Sequence, residues 1–190
     1  MSYLTKKSTL LFLLIFSILF VSGCNEEIKN PINPFQSKIN SVLKNDTRNF
    51  GIEVDVHYKN YIDSSILVYD LKEISGDKSK VDVFRVLLQF AESVKDYNFE
   101  IVELAFRGNT KFKLGGVYFK QLGKEYSWQN PIYTARTFPE NLINPDGSQA
   151  YGQWTGGWLG VLNEQMSDFN DFHDKWYLDD LIKEKLNEED

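Results

Sequence analysis

The sequence predicts a single small α+β domain, in which helices pack on a mostly antiparallel sheet of about four strands and the last helix is long. Three observations favour this class. Segments with apolar residues at every second position alternate with segments in which they recur every three or four. The connections between neighbouring strand segments are short. The chain has 190 residues, 42% of them hydrophobic and 25% charged, which are globular proportions and a length that suits one domain.

The first two predicted strands form a hairpin. Residues 52–58 place apolar side chains on one side and acidic residues with His57 on the other, as in a half-buried strand. Residues 65–74 alternate in the same way. The connector at 59–64 is short enough to join them as antiparallel neighbours.

A helix is predicted over 80–97. Ser79 and Asp82 have the spacing of a capping box, with Asp in place of the usual Glu. The apolar residues recur at helical spacing and would form the buried face. They are Val81, Phe84, Leu87, Leu88, Ala91 and Val94.

The middle of the chain predicts two more strands. Residues 99–106 are apolar on both faces, which favours a central strand. Residues 107–110 are typical of a turn, and 111–114 would return as the next strand. A short helix follows over 118–126, weakened by Gly123.

Proline and glycine interrupt residues 127–156, so only short elements are expected there. Residues 132–134 are interpreted as a short edge strand, 139–142 as a helical turn with proline at its first position, and 145–147 as a turn. The final helix is predicted over about 158–187, with a possible break at 177–179. Its apolar stripe consists of Trp158, Leu162, Met166, Phe169, Phe172, Trp176, Leu181 and Ile182.

The N-terminus has the three zones of a secretory signal peptide: positive charge, a short apolar core and small residues. The apolar core of about 11–13 residues is too short for a hydrocarbon layer of about 30 Å. The last of its zones, 21–24, reads Val-Ser-Gly-Cys and contains the chain's one cysteine. This segment resembles the lipobox of bacterial lipoproteins. The predicted organisation is a signal peptide at 1–23, a lipidated Cys24 with a flexible tether at 24–49, and a globular domain at 50–190.

The resemblance implies that Cys24 carries a diacylglycerol thioether and an acyl chain, after cleavage behind Gly23. Two or three acyl chains would anchor the protein stably to a membrane. Asp directly after the lipidated cysteine often retains such proteins at the inner membrane. Residue 25 is Asn, so the outer membrane is favoured in a host with two membranes. The alternatives are an ordinary signal peptide with an incidental cysteine, or a membrane anchor.

The charge of the chain argues against nucleic acid as a partner. Lys6 and Lys7 are the charged residues of the leader, so the chain from Cys24 on has 19 Lys and Arg residues against 27 Asp and Glu, a net charge of −8. Nucleic-acid binding rests on basic residues that neutralise phosphates. The same acidity means that the acyl chains, and not surface charge, must attach the protein to an anionic membrane.

No catalytic motif is present, and one cysteine cannot form an internal disulfide or a thiolate cluster. Asp168, Asp171 and Asp174 step by three along the last helix, close to His173. Asp171 and His173 are therefore weak candidates for a metal site. The simpler interpretation is a solvated helix face, so no metal and no cofactor besides the covalent lipid is expected.

Residues 147–158 are the most unusual in composition. Trp154 and Trp158, together with Gly156 and Gly157 before a helix, could form a binding surface. The alternative is a loop whose aromatic rings fill the core. Arg136 could hold a carboxylate ligand, with a structural ion pair as the alternative.

These features favour a lipid-anchored lipoprotein of the cell envelope that binds another protein or an envelope component without catalysis. The alternative is a small-ligand-binding or metal-dependent envelope enzyme that would use Asp171, His173 and the loop. A structural or stress-related lipoprotein is a third possibility.

Overall fold

The computed structural model describes residues 33–60 and 64–188. One sheet has its strands in the order β1-β2-β3-β4-β5, and helices pack on it, which confirms the predicted α+β class. The strands are β1 (Ile52–Tyr58), β2 (Ile66–Ile74), β3 (Ile101–Phe106), β4 (Asn109–Gly115) and β5 (Leu142–Ile143). The helices are α1 (Pro34–Asn45), α2 (Lys80–Ser93), α3 (Gly116–Glu125), α4 (Pro131–Thr137), α5 (Trp158–His173) and α6 (Asp179–Glu188). The predicted signal peptide and lipobox, with Cys24, lie outside the described residues.

The sheet is antiparallel except for one pair. β1 and β2 pair antiparallel, as the sequence predicts, and β2 then pairs with β3 in parallel through the crossover helix α2. β4 returns beside β3 after a tight turn at Arg107 and Gly108, whose φ angles are 47° and 86°. Two residues with positive φ match the twist of a hairpin, so the returning strand begins at Asn109 rather than at residue 111.

The hydrophobic core lies on one face of the sheet. The parallel register of β2 and β3 aligns their inward-facing side chains, and all of them are buried. They are Leu67, Tyr69, Leu71, Val102, Leu104 and Phe106. α2 and the C-terminal helical segments pack on this face. The ring of Tyr69 lies 5.5 Å from that of Phe90 and 6.1 Å from that of Trp176.

Helix α2 begins with the predicted capping box. The Ser79 hydroxyl accepts a hydrogen bond from the Asp82 N–H at 3.2 Å, and the Asp82 carboxylate accepts one from the Ser79 N–H at 2.9 Å. Each side chain thereby satisfies a backbone donor that the helix itself leaves free. The helix ends at Ser93, four residues before the predicted end.

Helix α1 belongs to the domain, although the sequence predicts its residues to lie in the tether at 24–49. Phe35 and Ile39 are fully buried in the common core. The Gln36 side chain also binds the free edge of β1: its amide oxygen accepts from the Val56 N–H at 2.6 Å, and its amide nitrogen donates to the Val54 carbonyl at 3.1 Å. An edge strand needs such a cover. The boundary at residue 50 is therefore wrong, and the folded unit begins at Asn33.

The edge strand predicted at 132–134 is also wrong. These residues belong to α4, which starts at Pro131, and the Asn130 side chain caps it by accepting from the Ile132 N–H at 2.9 Å. Asn at the N-cap and Pro at the first helical position indicate the start of a helix. This signal is stronger than the strand preference of residues 132–134. The fifth strand is β5 instead, which pairs with β4. Two residues are too few to show an alternating pattern.

The long C-terminal helix is confirmed. α5 and α6 are joined by a π-helical segment, Asp174–Leu178, at the position where the sequence suggests a break. A π-helical turn accommodates an extra residue within a continuing helix. The helical turn predicted after Pro139 is present as a 3₁₀ turn, Pro139–Asn141.

Candidate functional site

The three aspartates of α5 and the π-helical segment each have their own partner. The Asp168 carboxylate accepts from the Trp154 indole at 2.6 Å, and Asp171 accepts from the Tyr151 hydroxyl at 2.8 Å. Asp174 forms an ion pair with Lys80 at 2.6 Å. The carboxylates thus point to different neighbours and do not converge on a common centre.

Asp171 also lies 2.6 Å from the ammonium group of Lys175, one turn along the helix. Burial alone would raise the pKa of Asp171, but the hydrogen bonds from Lys175 and Tyr151 lower it overall. Asp171 is therefore an ionised, paired carboxylate. Its bonding explains its position without a ligand.

His173 lies in the core and not on the solvated face. Its ring is packed among aromatic side chains, and among the described residues neither ring nitrogen has a hydrogen-bond partner. Burial lowers the pKa of His173 from 6.5 to about 3, and the nearby charge of Lys80 acts in the same direction. The surrounding rings are those of Phe84, Phe169, Phe172, Trp176 and Tyr177.

The weak metal candidates are therefore not brought together. His173 is enclosed by rings, while the Asp171 carboxylate is bound by Tyr151 and Lys175. Within residues 33–60 and 64–188, no group of three or more His, Cys, Asp or Glu side chains is arranged to hold a metal ion. The sequence pattern correctly predicts Asp171 and His173 on one helix. It carries no information on which side chains surround each of them.

The loop before α5 is bound along that helix at two points. Tyr151 and Trp154 are three residues apart, and so are their acceptors Asp171 and Asp168. The loop and the helix therefore run in opposite directions. Tyr151 is buried, whereas the Trp154 side chain is half-exposed. The loop is thus held in place and still presents an indole ring to solvent.

Trp158 opens α5 and is 71% exposed, with Leu159 at 60%. The apolar stripe of the final helix contacts the core only from Met166 onward. The interpretation of the loop as a plug for the core therefore holds for Tyr151 and fails for Trp154 and Trp158. These two tryptophans are available for contact with another molecule.

The glycines of this loop do not serve close packing. An added Cβ at Gly152 or Gly157 would meet no atom within 4 Å. Gly156 is different because its φ of 131° is a conformation that other residues rarely adopt. Gly156 thus shapes the turn into α5, and Gly157 caps the helix without a side-chain hydrogen bond.

Helix α4 also carries exposed apolar side chains. It packs against α5, and its Ile132 and Tyr133 side chains are 65% and 46% exposed. We use the name aromatic face for the exposed side chains of these adjacent elements: Ile132, Tyr133, Trp154, Trp158 and Leu159. The sequence does not indicate that α4 contributes exposed side chains to this face, because the pattern of residues 132–134 favours a strand.

Arg136 stands beside this face. Its guanidinium lies 5.4 Å from the centre of the Tyr133 ring, and its buried Nε has no hydrogen-bond acceptor within residues 33–60 and 64–188. The other arginines, Arg48, Arg85 and Arg107, each form ion pairs. In the described part of the chain, the structural ion pair considered for Arg136 is not formed.

Two further carboxylates, Asp70 and Glu103, are buried on the sheet. Asp70 binds Lys72 and accepts the Gly108 N–H at 3.0 Å, and Glu103 lies 2.6 Å from Lys59. The sequence singled out neither residue as a site. Each is paired with a lysine, so neither buried carboxylate is left as an uncompensated charge.

Comparison with known proteins gives no relative of this chain. No family model matches it, and no curated protein or solved structure is significantly similar to it. Among the described helices, none combines the length and apolar character needed to cross a membrane.

Proposed function

We propose that this chain is a lipid-anchored lipoprotein of the bacterial cell envelope, and that its α+β domain binds another envelope protein through the aromatic face. Acyl chains on Cys24 would hold it at a membrane, the outer one in a host with two membranes. Support for the anchor comes from the lipobox-like segment that ends at Cys24. The domain itself would act by binding and not by catalysis.

The observation that carries the binding proposal is the unequal burial of the tryptophans. Trp176 is fully buried, whereas Trp158 is 71% and Trp154 41% exposed. Large aromatic side chains are enriched at the centres of protein interfaces, where their burial contributes most of the affinity. Trp154 is also held by Asp168, so little conformational freedom remains to be lost on binding.

Crosslinking in intact cells, followed by purification of the lipidated protein, tests this proposal. We expect one partner in near-stoichiometric yield, and its loss in Trp158→Ala. The matched control is Ile182→Ala, because Ile182 is 55% exposed on α6, outside the aromatic face. Absence of any partner above background, or equal capture by Trp158→Ala and the unchanged protein, would contradict it.

A further inference from the structure

A cleft of about 700 Å³ lies between α1 and α2, outside the aromatic face. Its volume is within the range of small-molecule sites, about 300–1,000 Å³. Of its eleven lining residues nine are polar or charged, and the other two are Val42 and Tyr126. The lining combines these polar groups with the apolar stems of the longer side chains, so a ligand that fits it needs polar groups and an apolar face together.

Hydrogen bonds hold two of the lining side chains, Gln89 and Asp46, in fixed positions. Gln89 donates to the Asp46 carboxylate at 2.9 Å and accepts from the Asn49 side chain at 2.7 Å. Asn49 is buried and also donates to the Val42 carbonyl at 3.0 Å. Hydrogen bonds from Arg48 and then Gln89 hold the pKa of Asp46 well below its usual value, so this carboxylate is ionised. These polar side chains are therefore positioned before any ligand binds.

The charges that line the cleft are balanced. Lys95 lies 3.8 Å from Glu92, and Asp46 is paired with Arg48 at 2.7 Å, so Lys38 is the one lining charge without a charged partner among the described residues. The Lys38 ammonium already donates to the Ser93 carbonyl at 3.0 Å. No cluster of cations is available for a phosphate, and no cluster of anions for a metal ion. The cleft therefore favours an uncharged ligand.

The walls offer hydrogen-bond acceptors and donors from two facing helices. Ser37 and Ser41 on α1, and Ser93 on α2, donate their hydroxyl protons to carbonyls of their own helices at 2.7 to 2.9 Å. The lone pairs of these oxygens remain free to accept. The Asn45 side chain has no hydrogen-bond partner within the described residues and can both donate and accept.

We propose that this cleft binds a neutral, polyhydroxylated ligand, namely a saccharide. The hydroxyl groups of a sugar ring donate and accept around its edge, which suits the serine oxygens and the amides of Asn45 and Gln89. The C–H face of the ring is apolar, and Val42 and Tyr126 supply apolar surface in the lining. The site is separate from the aromatic face and does not depend on the proposed protein partner.

Titration calorimetry of the full chain in detergent tests this proposal, with chitotriose and maltotriose as uncharged probes. We expect at least one of them to bind with a dissociation constant below about 10 mM. Ser41→Phe should weaken that binding by about tenfold or more, because the new ring occupies the cleft. Ser41 is exposed and bonds only to its own helix, so the fold should tolerate the change.

Ser167→Phe is the matched control, since Ser167 is exposed on α5, away from the cleft. This variant should bind as the unchanged protein does. Asn45→Ala removes an unpartnered amide without adding bulk and should also weaken binding. The proposal is overturned if neither trisaccharide binds up to about 10 mM, or if Ser41→Phe and Asn45→Ala both bind unchanged.

Discussion

The Trp154 indole, on the loop before α5, donates a 2.6 Å hydrogen bond to the Asp168 carboxylate on that helix. This hydrogen bond holds the glycine-rich loop against α5. The indole ring remains 41% exposed, so the bond positions the ring without burying it. This hydrogen bond makes Asp168 the residue that orients Trp154.

We expect Asp168→Ala to release Trp154 from α5 while the domain stays folded. The partner capture proposed for the aromatic face should fall, and the free energy of unfolding should change by no more than about 1 kcal/mol, since the pair is exposed. Asp168→Asn is the matched control, because its amide oxygen can still accept from the indole. Equal loss of capture in both variants would show that orientation by this bond is not the cause.

The buried His173 predicts a specific dependence of stability on pH. Burial lowers its pKa in the folded state from 6.5 to about 3. Below pH 6.5 the unfolded chain therefore binds a proton that the folded chain does not. Stability is full above pH 6.5 and falls as the pH drops from 6.5 towards 3, by about 1.4 kcal/mol per pH unit.

His173→Leu should remove this dependence. Unfolding by urea between pH 6.5 and pH 4.5 measures the slope, in a range above the pKa values of the paired aspartates. At pH 7 the variant should be at least as stable as the original, because two buried nitrogens without partners are removed. An unchanged slope in His173→Leu would assign the pH dependence to other groups.

Gly123 should not tolerate a side chain. A Cβ at this position would lie 2.2 Å from the Ala91 carbonyl oxygen, where α3 crosses α2. We expect Gly123→Ala to destabilise the domain by about 1–3 kcal/mol, because two backbones must move apart. Gly152→Ala is the control, since no atom lies within 4 Å of its Cβ. Comparable melting temperatures for the two variants would contradict this close approach.

Helix α1 should be required for folding. Phe35 and Ile39 are fully buried, and their burial contributes on the order of 1.5–3 kcal/mol each. A chain that begins at residue 33 should unfold cooperatively, as measured by circular dichroism. A chain that begins at residue 50 should be destabilised by several kcal/mol and should aggregate through the uncovered edge of β1. Equal free energies of unfolding for the two chains would instead place the start of the folded domain at residue 50.

Cys24 should be the site of lipid attachment. Cys24→Ser removes the sulfur that would form the thioether, so labelled palmitate should no longer be incorporated and the protein should leave the membrane fraction. Asn25→Asp is the matched change: acylation should persist, and in a host with two membranes the protein should shift towards the inner one. Continued labelling of Cys24→Ser would exclude this cysteine.

The sequence by itself determined the elements whose signals are local. The alternation in 52–58 and 65–74, the Ser79–Asp82 cap and the helical period of α2 depend on neighbours within a few residues. The same holds for the apolar period that runs from Phe169 to Ile182. These patterns are sufficient for the α+β class and for the long C-terminal helix.

Only the tertiary structure decided which residues are buried and which meet. The helical period grouped Trp158 with Phe169 and Trp176, yet the core covers only the later turns of α5, so Trp158 stays exposed. The same period placed His173 beside three aspartates, but its ring is packed among aromatic side chains contributed in part by α2. Burial depends on what lies opposite each residue in space, and that information is carried by distant parts of the chain.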